Sequence, residues 1–162
     1  MLDDASSRTV TIKTLFENLV FLSTFLSLCT AQLLKGVIYV LNSRKRKTRE
    51  LVEIITWRTG GMPSSHASLV CALCTSIAFT EGPSSNIFIL SFWFALVVLR
   101  DAMGVRRSAG HLARALNSLG KQSAEKMDLD FHTVKEIQGH SPLEVVVGGL
   151  LGVFIAAGLF LL

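Results

Sequence analysis

The sequence predicts an all-α polytopic membrane protein, a transmembrane helical bundle with about four crossings plus a cytoplasmic amphipathic helix, with residues 1–162 forming a single integral membrane domain. Half of the 162 residues are apolar, only 17% are charged and the mean hydropathy is +0.50, which is too apolar for an ordinary soluble domain. The apolar residues gather in four blocks, near 15–41, 64–80, 87–105 and 143–162. Each approaches the length of a bilayer crossing at about 1.5 Å per residue. Basic residues crowd into alternate connections between the blocks. No period of repeats and no Pro-, Ser- or Gln-rich tract is present, so a repeat array and a disordered chain are both excluded.

The first block, Leu15 to Leu41, carries Gln32 and Lys35 near one end, spaced to share a helix face. A lysine there can snorkel to the interface. The block follows Asp3, Asp4, Arg8 and Lys13, lacks a small-residue cleavage pattern and is too long for a signal-peptide core, so it is expected to be retained. The second block opens at Gly60-Gly61-Met62-Pro63-Ser64-Ser65-His66, where glycines, a proline and two capping serines mark a sharp helix start. The third block, Asn86 to Val105, ends in Asp101-Ala102-Met103-Gly104-Val105-Arg106-Arg107. Ser108 to Leu119 then alternates His111, Arg114 and Asn117 with leucines and alanines, as an interfacial amphipathic helix does. Residues 120–138 read as a polar cytoplasmic loop.

The fourth block opens at Gly139-His140-Ser141-Pro142-Leu143-Glu144. Ser141 and Glu144 have capping-box spacing, with Pro142 at the first helical position. Gly148 and Gly152 form a G-x-x-x-G face, suited to packing within the subunit or to dimerisation. Cys29, Cys71 and Cys74 all fall inside apolar blocks, and the single C-x-x-C has no second pair to complete a zinc site. They read as small core residues, and no metal or cofactor is expected.

If the four blocks cross alternately, the connection 43–62 holds Arg44, Lys45, Arg46, Lys47, Arg49 and Arg58. The connection 99–141 holds Arg100, Arg106, Arg107, Arg114, Lys121, Lys126 and Lys135. Both lie on one side, while the turn Glu81–Asn86 opposite has no basic residue. The positive-inside bias therefore puts both long connections in the cytoplasm and both termini outside, as in a plasma or inner membrane. The net charge of +4 follows from this bias. Nucleic-acid binding would want aromatic platforms among the basic residues, and only Trp57 and Phe131 are near.

On this topology Lys35, the Gly61–His66 turn, Asp101 to Arg107, and His140 with Glu144 converge on one layer. Ionisable groups at such depth are costly unless they share a cavity or pair, so a common site is expected. Helix N-termini at Ser64 and Ser141 would present unpaired N–H groups and positive dipole ends, and Lys35, Arg106 and Arg107 add full charge. That combination suits a phosphate, with Ser64 and Ser65 beside it. Two histidines in the same layer supply a nucleophile and a proton donor for phosphoryl transfer. Each residue also has a plainer reading: His66 as a headgroup-layer residue, Glu144 as a capping partner, Asp101 as an arginine's partner, Arg106 and Arg107 as anchors.

The string GGMPSSHAS, with AQLLK upstream, DAMGVRRSAG downstream and KEIQGHSPLEVVVGGLLG at the end, resembles the divergent branch of the type 2 phosphatidic acid phosphatase superfamily. That superfamily also contains lipid phosphate phosphatases and the acid phosphatase and vanadium haloperoxidase relatives. The likeness runs from about Gln32 to Gly152. Pro63-Ser64-Ser65-His66 resembles the second superfamily motif with serine in place of glycine, which implies His66 as general acid. His140 and Glu144 resemble the end of the third, implying a nucleophilic histidine oriented by a carboxylate, with glutamate replacing aspartate. Lys35 matches the lysine of the first motif. Both motif arginines are absent in place, because Asn42 and Val134 occupy their positions.

The resemblance implies a membrane-embedded phosphatase acting on a lipid phosphate or diphosphate through a histidine nucleophile, with catalytic residues His66, His140 and Glu144. Lys35, Ser64, Ser65, Arg106 and Arg107 would bind the phosphate, and Asp101 is a further polar site residue. A non-catalytic lipid-phosphate binding or transport protein would keep the same charge layer without needing a nucleophile. A structural membrane subunit would use every polar residue as an anchor. The expected partners are the lipid phosphate, membrane lipids and a second copy in a homodimer.

Overall fold

The computed structural model describes residues 13–42, 52, 61–134, 136 and 139–162, with the side chains of residues 105–107 outside that description. Among the described residues are five long helices and no strands: α1 (Leu19–Asn42), α2 (Ser65–Glu81), α3 (Asn86–Met103), α4 (Val105–Met127) and α5 (Pro142–Leu161). The apolar stretches of α1, α3 and α5 are long enough to cross a membrane. The 17 residues of α2 make about 26 Å of helix, slightly short of the hydrocarbon thickness. It lies between α1, α3 and α5 and packs most extensively on α5.

The helix ends follow local chemistry. Residues 13–17 form a separate turn, and α1 begins only after Asn18, whose Oδ1 accepts the N–H groups of Val20 (2.9 Å) and Phe21 (3.1 Å). The first apolar block is therefore broken by an asparagine cap. Ser64, Ser85 and Ser141 cap α2, α3 and α5, each side chain accepting a backbone N–H of the first turn. Such a cap contributes about 1 kcal/mol.

The amphipathic helix extends beyond Leu119 to Met127, so half of the expected loop is helical. Lys121 to Lys126 are good helix formers, and Asp128, at φ 52°, ends the helix in the left-handed conformation. Gly120 is tolerated because the Phe131 ring occupies the space that its Cβ would fill. Asn117 clamps the following chain, donating to the Val134 carbonyl (2.9 Å) and to Glu136 (3.0 Å) and accepting the Val134 N–H (2.8 Å).

Small side chains make the core. The fully buried residues include Ser23, Ser27, Ser64, Ser68 and Ser76 with Ala31, Ala67, Ala72 and Ala156, whereas Phe154, Leu90, Val97 and Trp93 face outward. Polar and small inside with large and apolar outside is the distribution of a bundle solvated by lipid. Antiparallel α1 and α2 are joined by hydroxyl pairs at Ser23–Ser76 (2.5 Å) and Ser27–Ser68 (2.6 Å). At about 0.6 kcal/mol each in a membrane, these pairs fix register more than they hold the helices together.

α5 runs parallel to α2, and Gly148 and Gly152 pack against the backbone of Ser64 and Ser68. Phe79 stacks on Phe160 at the other end of this pair. The glycine face is thus used within the chain. A Cβ at 148 or 152 would collide with these backbone atoms, whereas at Gly158 nothing lies within 4 Å. Gly148→Ala and Gly152→Ala are expected to destabilise by about 1–3 kcal/mol each, as overpacking does. Gly158→Ala should be neutral. Thermal unfolding of the detergent-solubilised variants checks this contrast.

Candidate active site

Parallel packing of α5 on α2 brings two helix N-termini to one end of the bundle, joined by the Ser64 N–H donating to the Glu144 carbonyl (3.0 Å). Antiparallel α1 brings Lys35 to the same end. Lys35 is 4% exposed, and its Nζ donates to Ser65 Oγ (3.1 Å) while lying within electrostatic range of Glu144. α3 also ends there, with the His140 N–H donating to the Ala102 carbonyl (3.3 Å).

Glu144 organises the site. Its N–H donates to Ser141 Oγ (3.4 Å), its carbonyl receives Ser64, and its carboxylate Oε2 lies 2.8 Å from His140 Nδ1. Half of the expected capping box forms. The carboxylate reaches back to the side chain of His140, so the histidine stands just outside the helix and still pairs with the glutamate one turn in. A carboxylate only accepts, so in the neutral imidazole the proton is assigned to Nδ1 and Nε2 carries the lone pair. His140 is 3% exposed and Nε2 has no hydrogen-bond partner among the described residues. A buried nitrogen in that state costs about 1–3 kcal/mol.

Lys35, Ser64, Ser65, His140 and Glu144 are therefore linked by direct bonds. The Ser64 hydroxyl caps α2 by accepting the Ala67 N–H (3.4 Å) and that of Ser65 accepts Lys35, so each retains its own proton to donate. His66 follows in the first turn of α2 with an exposed side chain. Asp101 is half-buried beside Ala102 in the last turn of α3. Arg106 and Arg107 stand in the first turn of α4, with side chains outside the described ones; the basic cluster Arg44 to Arg58 is likewise outside the described residues. Asn42 is the last residue of α1, and Val134 is exposed and held by Asn117.

The sequence puts Gln32 on the Lys35 face without assigning it a role. Gln32 shares a face with Lys35, and its Oε1 is buried without a hydrogen-bond partner among the described residues. The i, i+3 spacing in AQLLK is the only signal for it.

A small-residue membrane bundle whose helix N-termini converge on a buried, carboxylate-oriented histidine defines a class of membrane protein. The model of the divergent PAP2 family matches residues 16–155, and the chain belongs to that family. It is also 36% identical over 154 residues to the "Uncharacterized membrane protein YuiD" of Bacillus subtilis (strain 168), covering 87% of this chain and 93% of that protein. No solved structure matches.

The orientation of His140 is measurable. Nitrogen-15 shifts of His140 should report the Nδ1–H tautomer, and Glu144→Gln should spread the population over both tautomers, because an amide can donate as well as accept. The Ser64–Glu144 backbone bond survives that substitution, so folded yield should hold.

Proposed function

We propose that the protein hydrolyses a lipid phosphate or diphosphate through a phosphohistidine on His140. The observation that carries this reading is His140 itself, buried, held at Nδ1 by Glu144 and bare at Nε2. Nε2 attacks phosphorus as the bond to the lipid oxygen breaks, and His66 donates its proton to that oxygen. Water then attacks the phosphohistidine, His66 takes a proton from it, and the P–Nε2 bond breaks to release phosphate. Glu144 stabilises the imidazole while it carries the phosphoryl group. Lys35 and the dipole ends of α2 and α5 offset the phosphate charge.

His140→Ala should abolish turnover. His66→Ala should lower it by about 10²–10⁴-fold for alkyl phosphates, and by much less for p-nitrophenyl phosphate, whose leaving group needs no proton. Phosphate release from purified protein measures both, and full turnover in His140→Ala would refute the assignment. Binding of a lipid phosphonate without any turnover would instead mark a non-catalytic lipid-phosphate carrier.

In this reading the site faces the cytoplasm, supported by the basic residues in the connections at its end of the bundle. Cysteines introduced at the exposed Ser84 and Ser123, with native cysteines replaced, should label from opposite faces of the membrane. Labelling of both from outside would overturn this orientation.

A further inference from the structure

Trp93, Leu96, Val97 and Arg100 of α3, with Gly104 just past its end, fall at positions i, i+3, i+4, i+7 and i+11 and form one stripe. With Leu99 and Met103 they line an open groove of about 740 Å³ that runs some 16 Å along the helix at 1.5 Å per residue. Among the described residues its lining is apolar except at Arg100, which lies toward the end of α3 nearest His140. The Arg100 side chain is exposed and enters no ion pair among the described residues.

Two residues of the groove lining also pack toward the histidine site. Leu99 and Met103 pack against Ala67, Ala102 and Val145. Ala67 follows His66, Val145 follows Glu144, and the Ala102 carbonyl receives the His140 N–H. A molecule with its tail along α3 therefore has its head beside the site, and it can enter sideways from the bilayer.

We propose that this groove seats the hydrocarbon chain of the lipid phosphate on which His140 acts, with Arg100 holding the phosphate at the groove mouth. This inference rests on the proposed function. Charge selects the occupant: a phosphate monoester carries about −1.5 to −2 near neutral pH, which attracts the Arg100 guanidinium, without an ion-pair partner among the described residues, whereas a bulk zwitterionic phospholipid has no net charge to offer it. Arg100 thus acts in headgroup recognition, beyond its contribution to topology.

The test uses the full chain in phosphatidylcholine vesicles with a long-chain alkyl phosphonate bearing a diazirine in its tail, and maps photoadducts by mass spectrometry. Adducts should concentrate in residues 93–104 and be competed by unlabelled phosphonate. Val97→Trp should suppress them by filling the groove; Val97 is 65% exposed, so the protein should still fold. Arg100→Gln should weaken labelling roughly tenfold, as loss of one charge-assisted bond implies. Val146→Trp, on the exposed face of α5, should change nothing. Adducts spread over α1, α3 and α5 and indifferent to Val97→Trp would overturn the proposal, as would equal labelling by a diazirine phosphatidylcholine. Phosphate release is assayed separately: its absence refutes the catalytic reading of His140 and leaves the labelling result readable.

Discussion

The closest constraint in the molecule is the approach of α5 to α2, where Gly148 and Gly152 lie against the backbone of Ser64 and Ser68. Only residues without a Cβ allow two parallel helices to come so near. The consequence is electrostatic as well as steric, because two helix N-termini, each about half a positive charge, are brought side by side. Like ends repel, and the arrangement calls for an anion. Glu144 supplies one, in the first turn of α5, and its carbonyl ties down the Ser64 N–H that opens α2. The site is thus a product of how the bundle packs.

The solvent sets the rest. Lipid offers no hydrophobic reward for burying large side chains, so the interior is filled by serine, alanine and glycine and the bulky residues face outward. An interior of this kind holds helices close and tolerates polar groups, provided that each finds a partner. The hydroxyl pairs between α1 and α2 meet that condition, and so does Lys35 on Ser65. His140 Nε2 and Gln32 Oε1 do not, and both are buried. Among the described residues these are the two buried side-chain polar atoms without a hydrogen bond, against a background of satisfied hydroxyls.

Attachment to the bilayer also varies along the chain. The helices α1, α3 and α5 present broad apolar faces, whereas α4 separates charge from leucine and carries its own polar cover, the segment through Val134 clamped by Asn117. The position where the parent superfamily keeps its third-motif arginine lies on this clamped, exposed segment as Val134. Charge compensation at the histidine, on the proposed reading, therefore falls to Lys35 and the helix ends, with Arg100 at the groove.

Much was legible in the sequence, because hydrophobic blocks, caps and motif strings are local. Four apolar helices and the helix starts at Ser64 and Ser141 follow from residue order and spacing, and the pairing of His140 with Glu144 is implied by the motif resemblance. The asparagine break at Asn18 and the continuation of α4 to Met127 did not, since a cap inside an apolar run and a glycine covered by a distant phenylalanine contradict simple periodicity. The role of Gly148 and Gly152 was ambiguous for a different reason: a G-x-x-x-G face states that something packs closely and not what. Only the tertiary structure decided that it meets α2, that Ser23 and Ser27 find Ser76 and Ser68, and that a groove on α3 borders the histidine. These are relations between segments far apart in the chain, fixed by which faces meet, and residue spacing within one helix carries no record of its partner.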